Sequence, residues 1–194
     1  MYSLNAEKRN EQLKCKQLRK QGIIPVNVYG GDLKETLLFQ ISLIDANRML
    51  KTKAKGSTVM LNLGDKKLSV LLKDVSYTPV SGMVETISFQ KLMEDEIVHS
   101  TLRIVLLNKE KTEMMVQQLL EEIPYKALPA DLIEKIEIDM DNIKEGSTIK
   151  IEDLPFAKNK KIEILIPLDT LVLNMVENFK SKVTEVADAP VEAK

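Results

Sequence analysis

Six of the first twenty residues are cationic: Lys8, Arg9, Lys14, Lys16, Arg19 and Lys20. Ammonium and guanidinium groups gathered this densely neutralise phosphates, so the chemistry they suit is the binding of a polyanion. Lys51, Lys53 and Lys55 make a second cluster, which reads either as an extension of that footprint or as solvated loop lysines. The rest of the inventory removes competing chemistries. One histidine, His99, and one cysteine, Cys15, cannot complete a structural zinc site, which takes about four Cys or His ligands. They offer no Cys/His nucleophilic pair with sequence support. His99 stands in the strand-like run Ile97 to Leu102 and reads as an ordinary strand residue. Gly30-Gly31-Asp32 lacks the GK[ST] ending of a phosphate loop, and GxGxxG spacing does not occur. Asp139 and Asp141 lie in an acidic segment where such pairs are common. No enzyme, cofactor, metal or small-molecule substrate is expected.

Charge is unevenly distributed. Through Lys91 the chain carries 15 Lys and Arg against 8 Asp and Glu, a net of +7; from Leu92 onward it carries 13 against 21, a net of −8. The overall −1 therefore hides a basic half, the pattern of a chain with a polyanionic partner on one side. With 194 residues, 44% of them hydrophobic, the chain can bury one good core or two small ones. Charge interrupts each apolar run well short of the roughly 20 residues that a membrane helix needs, so no membrane partner is expected. Glu7, Lys8, Arg9 and Glu11 stand where a signal peptide would be apolar, and a lone cysteine forms no internal bridge. Both features point to a reducing cytoplasm.

The elements that must position the cations are short strands. Tyr2 to Ala6 alternates in the strand manner, and the charged stretch Lys8 to Gln21 reads as helical, stopping at Gly22. Ile23 to Tyr29 is a strand with Pro25 near its start and Gly30-Gly31 as its turn. Leu37 to Ile41 is another. Ser42-Leu43-Ile44-Asp45 resembles a capping box opening a helix whose apolar positions are Leu43, Ile44, Ala46, Met49 and Leu50. Thr58 to Leu63, the turn Gly64-Asp65, and Lys67 to Val75 make a hairpin, and Met83 to Phe89 alternates after a turn at Thr78 to Gly82. Mostly β structure with a few short helices is the expected fold class. Residues 1–91 read as a small, mostly antiparallel β-barrel. Glu94-Asp95-Glu96 marks a boundary, and residues 92–183 read as an acidic, β-rich domain with strands at Ile97 to Leu107, Ile136 to Met140 and Thr148 to Ile151. Leu173 to Lys182 has helical leanings, although Leu171 to Leu173 could equally extend a strand. Residues 184–194 are expected to be a disordered tail.

Asn5 to Gln12, followed by Leu18-Arg19-Lys20-Gln21-Gly22-Ile23-Ile24-Pro25-Val26-Asn27-Val28-Tyr29-Gly30, resembles an "R…LRxxGxIPAVxYG" motif. That motif belongs to the bacterial 5S-rRNA-binding ribosomal protein family that includes the general stress protein CTC. Leu72-Lys73-Asp74-Val75 followed by Pro79, then Leu128 to Leu132, Ile136 to Asp139 and Gly146 to Leu154, continue the resemblance in the family's order over nearly the whole chain. It implies a cytoplasmic, ribosome-associated protein of the large subunit, with a barrel that binds 5S rRNA and the acidic second domain of the longer CTC form. Arg9, Lys14, Arg19 and Tyr29 correspond to the family's RNA-facing positions, with Lys16 and Lys20 as basic neighbours. The cations suit phosphates, and a tyrosine packs on ribose or base while its hydroxyl meets a phosphate or 2′-OH. Tyr29 also reads as a plain barrel-edge aromatic.

The chain departs from the family pattern where polar side chains would read RNA. The "GKxxSRxLR" segment is shortened to Leu13 to Arg19, losing a glycine, a serine and an arginine. Ser76 stands in place of Gln, and "HxDF" becomes Thr86-Ile87-Ser88-Phe89. Ser76, Thr86 and Ser88 therefore belong to the expected RNA-binding set as trimmed contacts, which implies a weaker or less selective binder. The alternative implied by the same losses is a CTC-type paralogue that has left the ribosome and acts through protein contacts.

Overall fold

The computed structural model describes residues 2–64, 66–111, 115–143, 147–159 and 161–176. The first ninety residues form β1 (Tyr2–Asn5), β2 (Glu7–Lys8), α1 (Cys15–Lys20), β3 (Ile23–Tyr29), β4 (Leu37–Ser42), α2 (Leu43–Thr52), β5 (Thr58–Leu63), β6 (Lys66–Tyr77) and β7 (Val84–Lys91). The seven strands make one sheet in the order β1-β5-β6-β7-β3-β4-β2. Its two edge strands, β1 and β2, are separated only by Ala6, so the chain itself bridges the gap and nearly closes the sheet into a barrel. Ala6 is buried, and its N–H donates to Asn62 O at 2.9 Å. Most pairings are antiparallel; β1 with β5 and β3 with β7 are parallel.

Alternation fills the barrel. Val26 and Val28 of β3, Phe39 and Ile41 of β4, Val70, Leu72 and Val75 of β6, and Ile87 and Phe89 of β7 point inward and form one core. Each such aliphatic or aromatic side chain contributes about 1.5–3 kcal/mol by leaving water. Helix α2 packs against β1, β3 and β4 and adds Ala46 and Met49 to that core. The Ser42 hydroxyl caps it by accepting from Ile44 N at 3.2 Å, as the sequence suggested. Ile44 itself is 69% exposed, against expectation, because the buried stripe runs through Leu43, Ala46, Met49 and Leu50. The expected long helix over Lys8 to Gln21 is confined to the six residues of α1, since Glu7 and Lys8 pair with β4 instead.

The second half forms β8 (Val98–Leu107), β9 (Met115–Gln118), β10 (Glu122–Ala127), β11 (Lys135–Asp139), β12 (Thr148–Lys150), β13 (Glu163–Ile164) and β14 (Leu171–Val176). One sheet has the order β11-β8-β10-β13 and another the order β12-β14-β9. A second core, including Leu102, Ile123, Tyr125, Phe156, Val172 and Leu173, is distinct from the first. The helical leaning at Leu173 is overturned as far as Val176: β14 finds hydrogen-bonding partners on both sides, in β12 and β9. Residues 177–182, and the segment 184–194 expected to be disordered, lie outside the described residues.

The two halves meet along a seam built by the basic loop after α2. Lys53 Nζ donates to both carboxylate oxygens of Glu134, at 2.8 and 2.6 Å, and Thr58 N donates to Glu134 Oε1 at 3.3 Å. Ser100 Oγ donates to Gly56 O at 3.3 Å, and Lys73 Nζ donates to His99 O at 2.8 Å. Gly56 has φ +83°, and a Cβ there would stand 2.0 Å from Thr101 O. Only glycine fits that approach. Leu71 and Val98 are fully buried yet belong to neither core.

Candidate nucleic-acid interface

Helix α1 lies against β3 and is anchored by Leu18, which is completely buried outside the barrel core. Lys14 N donates to Gln17 Oε1 at 3.1 Å, closing the first turn, and Gly22 at φ +74° ends the helix. With Leu18 facing in, the 3.6-residue period turns Lys16 and Lys20 outward. Lys14, Lys16 and Lys20 are exposed, and among the described residues none of the three forms an ion pair.

The two arginines are placed differently. Arg19 is half-buried and its Nη1 pairs with Glu85 Oε1 of β7 at 3.1 Å. Arg9 Nη2 donates to Cys15 Sγ at 3.2 Å. The Nε atoms of both are buried without a hydrogen-bond partner. Arg19 is therefore not a freely solvated cation, because β7 presents a carboxylate within its reach. These arginines fix α1 to the barrel wall.

The outward residues of β3, β7 and β6 form the floor beside this helix. Thr86 and Ser88 flank the buried Ile87 and share one face, as the spacing of two predicts. Ser76 pairs directly with Thr86 across β6 and β7, and Asp74 pairs with Ser88. On the other side of β7, Asn27 pairs with Ser88 and Tyr29 with Gln90. Ser88 therefore sits between Asn27 and Asp74, with Tyr29 one pair along. Arg9, Lys14, Lys16, Arg19 and Lys20 lie on or against α1, and Tyr29, Ser76, Thr86 and Ser88 lie on the strands beside it.

Electrostatics tie together two residues whose pairing the sequence did not show, Lys55 and Asp74. Lys55 Nζ is 2.6 Å from Asp74 Oδ1. This hydrogen bond holds the Asp74 carboxyl below its ordinary value and the Lys55 ammonium above its own. Tyr29 is pushed up, first by burial and then by the Asp74 charge, so it stays a protonated hydroxyl donor at neutral pH. Lys73, next to Asp74, is pushed down by burial beneath the second half. Of the second lysine cluster only Lys51 is a plain solvated lysine; Lys53 and Lys55 are in ion pairs, which replaces both earlier readings of that run. The available signal was Gly56 after Lys55, a tight turn rather than an open basic loop. A cavity of about 1050 Å³ lies elsewhere, bounded by Lys8, Leu37, Leu63 and Lys66. Among the described residues no group of His, Cys, Asp and Glu could hold a metal ion, and no helix is long and apolar enough to cross a membrane.

A nearly closed β-barrel with a cationic helix on its polar outer wall, joined to an acidic β-rich half, defines the class of protein. Residues 4–89 match the Ribosomal L25p family, and residues 98–178 match the C-terminal domain of ribosomal protein TL5. The chain belongs to the ribosomal L25p family in its two-domain form, a family of structural proteins rather than enzymes. It is 28% identical to large ribosomal subunit protein bL25 of Nitrosomonas europaea over 176 residues, 87% of this chain and 88% of the relative. With bL25 of Alkalilimnicola ehrlichii it shares 28% identity over 84% of this chain and 79% of the relative, and with bL25 of Clostridium perfringens 24% over 97% and 93%.

Proposed function

We propose that this protein is a structural component of the large ribosomal subunit, in the cytoplasm, and that it binds 5S rRNA through the outer wall of its barrel. The observation that carries this reading is the convergence of Lys16 and Lys20 on α1, and Lys14 at its N-cap, with Tyr29, Ser76, Thr86 and Ser88 on adjoining strands. The lysines neutralise phosphates and release counterions; the strand floor supplies hydroxyl groups that meet 2′-OH and base edges. Division of labour follows the charge, with residues 1–91 as the RNA-binding domain and residues 92–183 as an acidic domain that does not hold RNA. Naming of the relatives as large ribosomal subunit proteins supports the assignment to the ribosome.

The short hydroxyls Ser76 and Thr86 face each other across the strands, where longer side chains would reach further. That favours, as the second reading, a CTC-type protein that has lost most rRNA binding and works through protein contacts. Sedimentation of a lysate separates the two: the first reading requires the chain to travel with the large subunit, and a chain found only in free fractions overturns it. In vitro, affinity of the full chain for 5S rRNA should fall steeply with salt, by roughly 0.7–0.9 log units per log unit of salt for each phosphate neutralised.

A further inference from the structure

We infer that Lys55 sets the affinity of the RNA-facing wall: by holding Asp74, it neutralises a carboxylate that stands among Ser76, Ser88 and Tyr29 and so fixes the charge an RNA phosphate meets there. The inference rests on the 5S rRNA reading above and extends it to a residue outside α1. Asp74 is opposite Ser88 in the strand register, and its charge is felt at the Tyr29 hydroxyl. Left alone, a carboxylate in that place repels the phosphate backbone.

Lys55 is delivered to this place by backbone fixed from two sides. Ala54 and Ser57 close a turn through Ser57 N to Ala54 O at 3.1 Å and Ala54 N to Ser57 Oγ at 3.2 Å. The turn is strapped to β6 by Gly56 N to Leu72 O and Leu72 N to Ser57 O, both 2.9 Å, and seated against β8 by Ser100 Oγ on Gly56 O. Glu122 of β10 adds a second negative charge that holds the Lys55 ammonium in its charged form. No loop has to be ordered when RNA arrives, so the entropic cost of placing this cation is already met in folding. The second half thereby shapes the RNA-facing wall without touching RNA.

Charge arithmetic makes the inference testable with the full chain and 5S rRNA at one fixed salt concentration. Asp74→Asn frees Lys55 for a phosphate and should tighten binding about fivefold, the factor that one unit charge about 4 Å away produces in water. Its salt dependence should steepen by roughly 0.7–0.9 log units. Lys55→Met should weaken binding by a similar factor, and the double variant Lys55→Met, Asp74→Asn should return to the wild-type value. Lys161→Met, a charge change in the second half, should leave affinity unaltered. If wild type binds and neither Lys55→Met nor Asp74→Asn shifts affinity in the folded protein, the role of Lys55 is wrong while the 5S rRNA reading stands. If wild type does not bind 5S rRNA at all, the functional reading falls and takes this inference with it.

Discussion

Glu134 receives Lys53 through both of its carboxylate oxygens, at 2.8 and 2.6 Å, and so joins the end of α2 to the strand-rich second half. The pair is only partly open to water, with 18% of the Lys53 and 33% of the Glu134 side chain exposed. Glu134→Ala leaves the ammonium and Thr58 N without their acceptor. The expected cost is about 1–3 kcal/mol, the range for losing hydrogen bonds to a charged group. Urea denaturation measures it, and limited proteolysis should show faster cleavage around Glu94-Asp95-Glu96. An unaltered midpoint and cleavage rate would mean that the Lys53–Glu134 pair does not hold the seam.

Gly56→Ala and Gly64→Ala should behave differently although both glycines have positive φ. At Gly64, φ +62°, nothing lies within 4 Å of an added Cβ. Only the left-handed backbone is penalised there, at about 1–2 kcal/mol. At Gly56 the added carbon also collides with the Thr101 carbonyl, so the loss should be larger and accompanied by opening of the seam. Comparing the two by chemical denaturation checks the order.

Lys16→Ala with Lys20→Ala should leave stability within about 0.5 kcal/mol, since both are exposed. Affinity for 5S rRNA should fall, and the salt slope should become shallower by roughly 1.4–1.8 if each lysine neutralises one phosphate. Arg19→Ala should additionally cost about 0.2–1 kcal/mol through its pair with Glu85. A double lysine variant with unchanged affinity would remove α1 from the interface.

Restoring longer side chains on the strand floor should help at two positions and harm at the third. Ser76→Gln with Thr86→His regains donors and acceptors on one cross-strand pair and should improve selectivity for 5S rRNA over unrelated duplex RNA. Ser88→Asp places a carboxylate directly opposite Asp74, a like-charge pair that is destabilising across strands. Thermal denaturation of the single variant and competition binding of the double variant check these outcomes separately.

Acid should weaken the fold in part through Asp74. Its carboxyl titrates below the ordinary 3.8 because Lys55 donates to it. A folded-state value below the unfolded one gives stability that is present above about pH 3.8 and lost as pH falls through the folded value. Between pH 6 and pH 3, the urea midpoint of Asp74→Asn should therefore drop less than that of wild type.

Chemistry and strand pattern were legible in the sequence because both are local. Alternation placed Ile87 inward between Thr86 and Ser88, Ser42 announced the start of α2, and the order of motifs pointed to the ribosomal L25p family. The helical stretch at Lys8 was not legible, because Glu7 and Lys8 are committed by pairing with β4, about thirty residues away in sequence. Tertiary structure alone decided which cations are free. Lys53 and Lys55 look alike in a basic run, but one faces Glu134 and the other Asp74, and Arg19 finds Glu85. A charge reports its sign in the sequence, whereas its availability depends on which opposite charge folding brings within a few ångströms.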